Sequence, residues 1–389
     1  MKTFVTSRLT RRTAATSARG SANASASVNV DSARNSRGAS TNLAEISETL
    51  DNLINRLTES ERLSIGEENV ARRLQRLCEQ YPQSHVPELL PEWQRSQDTL
   101  DVVRVAADCA ESVYERKCKA AVPGISLHPN DYEFLRQIAA TANGDFKATT
   151  IRIHRLSRTL VIAVRGTKKT SPIDWITNAN GEPIDATAFL PGLPQVKAHG
   201  GFLCVAQRMA ADILRAISSY VGSYNRICFT GHSAGAAVAS LLYLHYQLSR
   251  SLDIPTDCIT FAMSPVLSFP IGSAALGSAT SSLTSLDTRF LAIVAHGDPV
   301  PRADRPFVRQ ILQIYSNVSD TPLQNFQFDP PELYSAGDLV VLFDKNLEGD
   351  EEEIVAVKAE DGIGEFLWGT VKMHEMEVYL KLLSQLRQE

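Results

Sequence analysis

The sequence predicts an α/β fold with a mostly parallel central sheet, preceded by a helical extension and a disordered tail. Three observations carry this expectation. The runs Leu160-Val161-Ile162-Ala163-Val164, Cys258-Ile259-Thr260-Phe261-Ala262 and Phe290-Leu291-Ala292-Ile293-Val294 have the length and apolar character of strands buried on both faces. Helical patterns lie between them, and strands alternating with helices favour a parallel sheet with right-handed crossovers. Between the first two runs, Arg226-Ile227-Cys228-Phe229-Thr230 leads through Gly231-His232-Ser233-Ala234-Gly235 into a small-residue stretch, Ala236 to Leu242, which reads as strand, tight turn and helix. A chain of 389 residues can hold one such domain of good size plus appendages.

Residues 1–40 are rich in Ser, Ala, Arg, Thr and Asn, and the first acidic residue is Asp31. So little there is apolar that a disordered tail is expected. No apolar stretch follows the early charges, so a secretory signal is not expected, whereas an Arg- and Ser-rich, acid-poor start has the character of a mitochondrial transit peptide. Residues 41–98 form the helical extension. Leu43, Ile46, Leu50, Leu53 and Leu57 mark one helix face, and Val70, Leu74 and Leu77 mark a second helix over about 68–79. Pro82, Pro87 and Pro91 then break the pattern, and so short a stripe is expected to pack on the main domain.

The main domain occupies 99–389. It opens on a long helix over about 99–119, and Asp131 to Ala140 suggests another. Thr149 to Arg155 alternates as a strand, and Phe202 to Val221 reads as a helix. Leu339 to Phe343 and Ile354 to Val357 read as a late hairpin with an acidic tip, Glu348 to Glu353, taken as a solvated loop without a metal. A last helix starts near Val371.

Composition bounds the function. Hydrophobic residues make up 43% and charged residues 21%, ordinary for a globular protein. A net charge of -5 gives no reason to expect nucleic-acid binding. No run reaches the length of a membrane span. Cys78, Cys109, Cys118, Cys204, Cys228 and Cys258 show no C-x-x-C spacing, and two of them fall in predicted core strands, which favours a reducing, intracellular and most simply cytoplasmic location. There is no P-loop, dinucleotide fingerprint or H-E-x-x-H, so no cofactor and no metal are expected.

The strand–turn–helix context is what G-x-S-x-G needs to act as a nucleophile elbow. The turn would hold Ser233 strained above the sheet, and side chains at 231 or 235 would collide with the neighbouring strand and helix. Ala236 and Ala237 let the helix approach the sheet, bringing its positive N-terminus beneath a developing oxyanion. A serine needs a base, and the base a carboxylate. In α/β-hydrolases these follow in the order Ser, acid, His. Of the eight histidines, five precede or adjoin Ser233, and His245 lies in the helix leaving the turn. His296 leaves no acid in the required place, so His374 fits the base. Asp298 stands just after an apolar strand, where catalytic groups collect in open α/β sheets. The oxyanion hole would take the N–H of Ala234 and a second donor. Thr167, in Val164-Arg165-Gly166-Thr167, is preferred to His199-Gly200-Gly201-Phe202, which reads better as the start of a helix.

The combination of R-G-T at 165–167, D-W at 174–175, H-G-G-F at 199–202, G-H-S-A-G, D-P-V-P-R at 298–302 and M-H at 373–374 resembles the class 3 lipase family. Phe261 to Ser268 and Val300 to Arg305 are similar to its intracellular, diacylglycerol-lipase-like fungal members. The resemblance spans roughly residues 100–385. It implies an α/β-hydrolase fold, hydrolysis of lipid esters, a catalytic Ser233, Asp298 and His374, and an oxyanion role for Thr167. It also makes the segment after Thr167 a lid. There Ser171 and Pro172 suit a helix start, and Ile173, Trp175 and Ile176 would cover the serine or meet lipid at a transient surface contact. The expected partner is therefore a lipid ester, an acylglycerol before a phospholipid or a non-lipid ester. A catalytically silent lipase-like binding or signalling module is the alternative from another class.

Overall fold

The computed structural model describes residues 67–86, 90–114, 129–141, 146–167, 181–249, 254–279, 288–316, 322, 326–327, 329–345, 353–360 and 362–386. The tail and the first helix of the extension lie outside the described residues.

Eight strands form the main sheet of the described molecule: β1 (Tyr132–Ile138), β2 (Thr149–His154), β3 (Thr159–Val164), β6 (Arg226–His232), β7 (Thr256–Phe261), β8 (Phe290–Ala295), β9 (Asp338–Asp344) and β10 (Ile354–Lys358). They lie side by side in that same order. The short β4 (Pro183–Asp185) and β5 (Lys197–His199) form a separate antiparallel pair. β3, β6, β7, β8 and β9 are parallel neighbours, while β1, β2 and β10 pair antiparallel at the two edges. The three apolar runs became β3, β7 and β8, buried along their whole length. Strands without an exposed face need cover on both sides, and helices supply it.

One face carries α3 (Gly200–Ser219) and α4 (Ala234–Ser249), the other α2 (Gln97–Ser112) and α7 (Met376–Gln385). α4 is apolar nearly all round because it lies between the sheet and α3. α2 contributes Leu100, Val103, Ala106, Ala107 and Ala110 to the opposite core, and Ser96 caps its N-terminus through an Oγ that accepts from Thr99 N at 3.2 Å. The crossovers from β7 and β8 carry α5 (Ser273–Ala279) and α6 (Arg305–Ser316).

The second helix of the extension is α1 (Glu67–Cys78). Leu74, Leu77 and Cys78 pack with Phe307, Ile311 and Ile314 of α6, and Trp93 N donates to Ala356 O of β10 at 2.8 Å. The segment therefore closes one sheet edge and one side of the helical layer.

Two expectations fail. Asp131 to Ala140 is not a helix but the edge strand β1. Its Glu, Leu, Arg and Gln favour a helix, yet antiparallel pairing with β2 wins, with a bulge between Phe134 and Arg136. Phe134 stays 56% exposed, which hides the period-two signal of a strand. The last helix does not run continuously from Val371. A 3-10 turn, Val371–His374, is separated from α7 by the extended Glu375.

Candidate active site

β6 delivers Ser233 at the carboxyl end of the central parallel strands, and α4 begins at the next residue. Ser233 sits at φ +59, the left-handed region that a non-glycine residue enters only under constraint. Its N–H donates to Phe261 O at 3.0 Å, and its carbonyl accepts from Ala236 N at 3.0 Å. The glycines on either side are obligatory. A methyl on Gly231 would meet Val164 O at 2.7 Å, and one on Gly235 would meet the carbonyl carbon of Arg165 at 2.5 Å. Both are backbone atoms with no room to yield.

Asp298 follows β8 and is fully buried. Its Oδ1 accepts from Val300 N at 2.9 Å. Its Oδ2 accepts from His374 Nδ1 at 3.1 Å and from the Tyr379 hydroxyl at 2.7 Å. Tyr379 Oη in turn accepts from Ala295 N at 3.0 Å. Burial, then the Asp298 carboxylate, pushes the Tyr379 phenol well above its ordinary value, so it remains a donor. His374 ends the 3-10 turn, and its Nε2 lies 3.0 Å from Ser233 Oγ. With Nδ1–H donated to Asp298, Nε2 is left as an acceptor facing the serine hydroxyl. Hydroxyl, imidazole and carboxylate form one hydrogen-bonded line, able to take a proton from Ser233 and stabilise the imidazolium that results.

Ser233, Asp298 and His374, distant in the chain, are thus brought together. Ala234 is the first residue of α4, where backbone N–H groups have no partner within the helix. Thr167 is half-buried and follows Gly166, which lies so close to the elbow that a methyl there would stand 3.2 Å from Ser233 Cβ. Ile173, Trp175 and Ile176 lie outside the described residues. His199 caps α3, its Nδ1 accepting from Phe202 N at 3.4 Å, and stacks on Phe202 at 4.0 Å. His296 turns away from Ser233, with Nε2 donating to Ser84 O at 2.7 Å and its ring against Trp368.

Sequence reasoning missed Tyr379 and gave His232 no part beyond its place beside Ser233. His232 is buried, with Nε2 2.8 Å from His374 O and Nδ1 3.1 Å from Tyr114 Oη. A tyrosine five residues after His374 carries no motif. It reaches Asp298 only because the extended Glu375 redirects the chain into α7.

Residues 161–307 match the family model for lipases of class 3. No curated protein sequence matches the chain. Among solved structures, the Rhizomucor miehei lipase propeptide complex is 16% identical, with 78% of this chain and 92% of that one covered at a TM-score of 0.49. The Lip2 lipase of Yarrowia lipolytica is 14% identical, with 77% and 97% covered at a TM-score of 0.49. A lipase from Rhizopus microsporus var. chinensis is 16% identical, with 75% and 91% covered at 0.47. The family match includes Ser233 and Asp298, and the chain is a lipase-type serine hydrolase.

Proposed function

We propose that the chain hydrolyses acylglycerols through an acyl-enzyme formed on Ser233. The observation that carries this reading is the continuous line from Ser233 Oγ to His374 Nε2 at 3.0 Å and from His374 Nδ1 to Asp298 Oδ2 at 3.1 Å. His374 takes the serine proton as Oγ attacks the ester carbonyl. Asp298, held by Tyr379 and Val300 N, stays ionised and stabilises the imidazolium. The negative charge that develops on the carbonyl oxygen is met by Ala234 N–H at the start of α4 and by Thr167. Collapse expels the glycerol alkoxide, which takes the proton from His374. Water, deprotonated by the same imidazole, then releases the fatty acid and restores Ser233.

The family match supports a lipid ester as substrate. An intracellular site of action belongs to the same reading and rests on cysteines without C-x-x-C spacing, two of which, Cys228 and Cys258, lie in core strands. The test is turnover of a graded panel of p-nitrophenyl esters, diacylglycerols, triacylglycerols and phospholipids by wild type and by Ser233→Ala, Asp298→Ala and His374→Ala. Each variant should lose on the order of 10⁴-fold or more in kcat, and double variants should lose little more because the three act as a unit. A fully active His374→Ala enzyme sinks the mechanism. Phospholipids hydrolysed faster than diacylglycerols sink the substrate class.

A further inference from the structure

His232 and Ser233 are adjacent in the chain, and both hold residue 374. Ser233 Oγ meets the imidazole of His374 at Nε2, while His232 Nε2 meets its main-chain carbonyl at 2.8 Å. The carbonyl oxygen can only accept, so His232 Nε2 carries a proton. In the neutral ring Nδ1 must then accept, and the Tyr114 hydroxyl supplies the donor at 3.1 Å. The two bonds of the chain Tyr114–His232–His374 therefore run in one direction, each donor facing an acceptor. The site is built for this arrangement. Gly166 leaves the space in which Tyr114 Oη lies, since a methyl there would approach it to 2.5 Å. His232 is 6% exposed, and its ring lies 4.6 Å from that of His374, centre to centre.

The carbonyl it holds needs such a partner. His374 closes a four-residue 3-10 turn, and Glu375 is extended before α7 starts. Upstream, the turn is fixed by Thr370 N donating to Gly297 O at 2.9 Å, next to Asp298. Downstream, the bond from His232 fixes the base to the strand that bears the nucleophile.

We infer that His232, set by Tyr114, is a positioning residue: it fixes the distance between His374 and Ser233 by tethering the base's main chain to the nucleophile's own strand. The inference rests on His374 being the base. A base displaced by about 1 Å costs up to roughly 100-fold in rate, with the loss in kcat and not in KM.

The test compares His232→Gln with His232→Asn on a soluble short-chain p-nitrophenyl ester, with thermal unfolding of each variant recorded alongside. A glutamine amide reaches the place of Nε2, whereas an asparagine amide reaches only that of Nδ1. His232→Asn should lose about 10- to 100-fold in kcat at nearly constant KM. His232→Gln should restore most of that loss, even where the two variants have equal Tm. Tyr114→Phe should lower kcat severalfold in the wild type and have no effect in the His232→Gln background. Equal kcat for the two His232 variants, or a kcat that merely follows Tm, overturns the inference. His374→Ala, run in parallel, separates the two levels: an active His374→Ala enzyme sinks the assigned base, and an inactive one with His232→Asn unimpaired sinks only the tether.

Discussion

Ser233 holds a conformation its own chemistry disfavours, at φ +59, between two glycines that meet the backbone of β3 and the loop after it. Left-handed backbone costs an L-residue about 1–2 kcal/mol, and glycine avoids that cost. Ser233→Ala and Ser233→Gly both remove the hydroxyl and its bond to His374. They differ mainly in this strain, so Ser233→Gly should be the more stable of the two by about 1 kcal/mol in urea unfolding. The reverse order would mean that the elbow is not strained in solution. Tyr379 offers a second test. Its hydroxyl gives Asp298 one of three hydrogen bonds, and a bond to a charged group contributes about 1.5–3 kcal/mol. Tyr379→Phe should lower kcat about tenfold and leave KM in place, as initial rates on a p-nitrophenyl ester would show. The chain order of Ser233, Asp298 and His374 nominated three residues that the fold does bring within hydrogen-bonding distance. Tyr379, His232 and Tyr114 could not be nominated in this way. Their contacts arise where α7, β6 and the end of α2 converge, and no spacing in the sequence encodes that convergence.

At the scale of elements, the decisive contact is between β3 and the β6–α4 turn. Gly235→Ala would place a methyl 2.5 Å from the carbonyl carbon of Arg165 and 2.6 Å from Gly166 N. Because those are main-chain atoms, the helix must move off the sheet, at a cost of about 3 kcal/mol or more. Gly277 in α5 has no atom within 4 Å of the place a methyl would take, so Gly277→Ala should instead stabilise by up to about 1 kcal/mol. Chemical denaturation of both variants checks the contrast, and equal effects would refute the packing argument. The same contact explains why this part of the fold was legible. Steric demands at Gly231, Gly235 and the alanines of α4 are written directly into residue size. β1 was not legible because an edge strand, half exposed and bulged, is specified by its partner β2 and not by its own pattern.

Across the whole molecule, the segment before α2 is joined to the sheet at several points. Leu367 N donates to Gln83 O, Lys358 N to Pro91 O and Trp93 N to Ala356 O. Leu74, Leu77, Tyr81 and Trp93 are buried in these contacts, each contributing about 1.5–3 kcal/mol. Together they approach the roughly 5–15 kcal/mol by which a domain is stable. A chain beginning at residue 97 should therefore fail to fold. A soluble, active chain from residue 97 would mean that the segment is only an attachment. The same junction carries a pH dependence through His296, whose Nε2–H is donated to Ser84 O beneath Trp368. Burial holds its pKa below the ordinary 6.5, outweighing the bond to Ser84, and His154 is lowered from the same cause. Stability from a depressed histidine is complete above pH 6.5 and is lost as pH falls through the folded value. Asp257 and Asp304 act in the opposite sense. Burial raises both above 3.8, so their contribution is present at low pH and lost as pH rises through the folded values. The net curve mixes these signs, but a difference isolates the histidine. His296→Gln keeps a donor toward Ser84 and cannot titrate, so its unfolding free energy should fall less than that of the wild type between about pH 7.5 and about pH 5. Urea unfolding at the two pH values measures both slopes, and identical slopes would show that His296 does not stay buried and neutral at the junction.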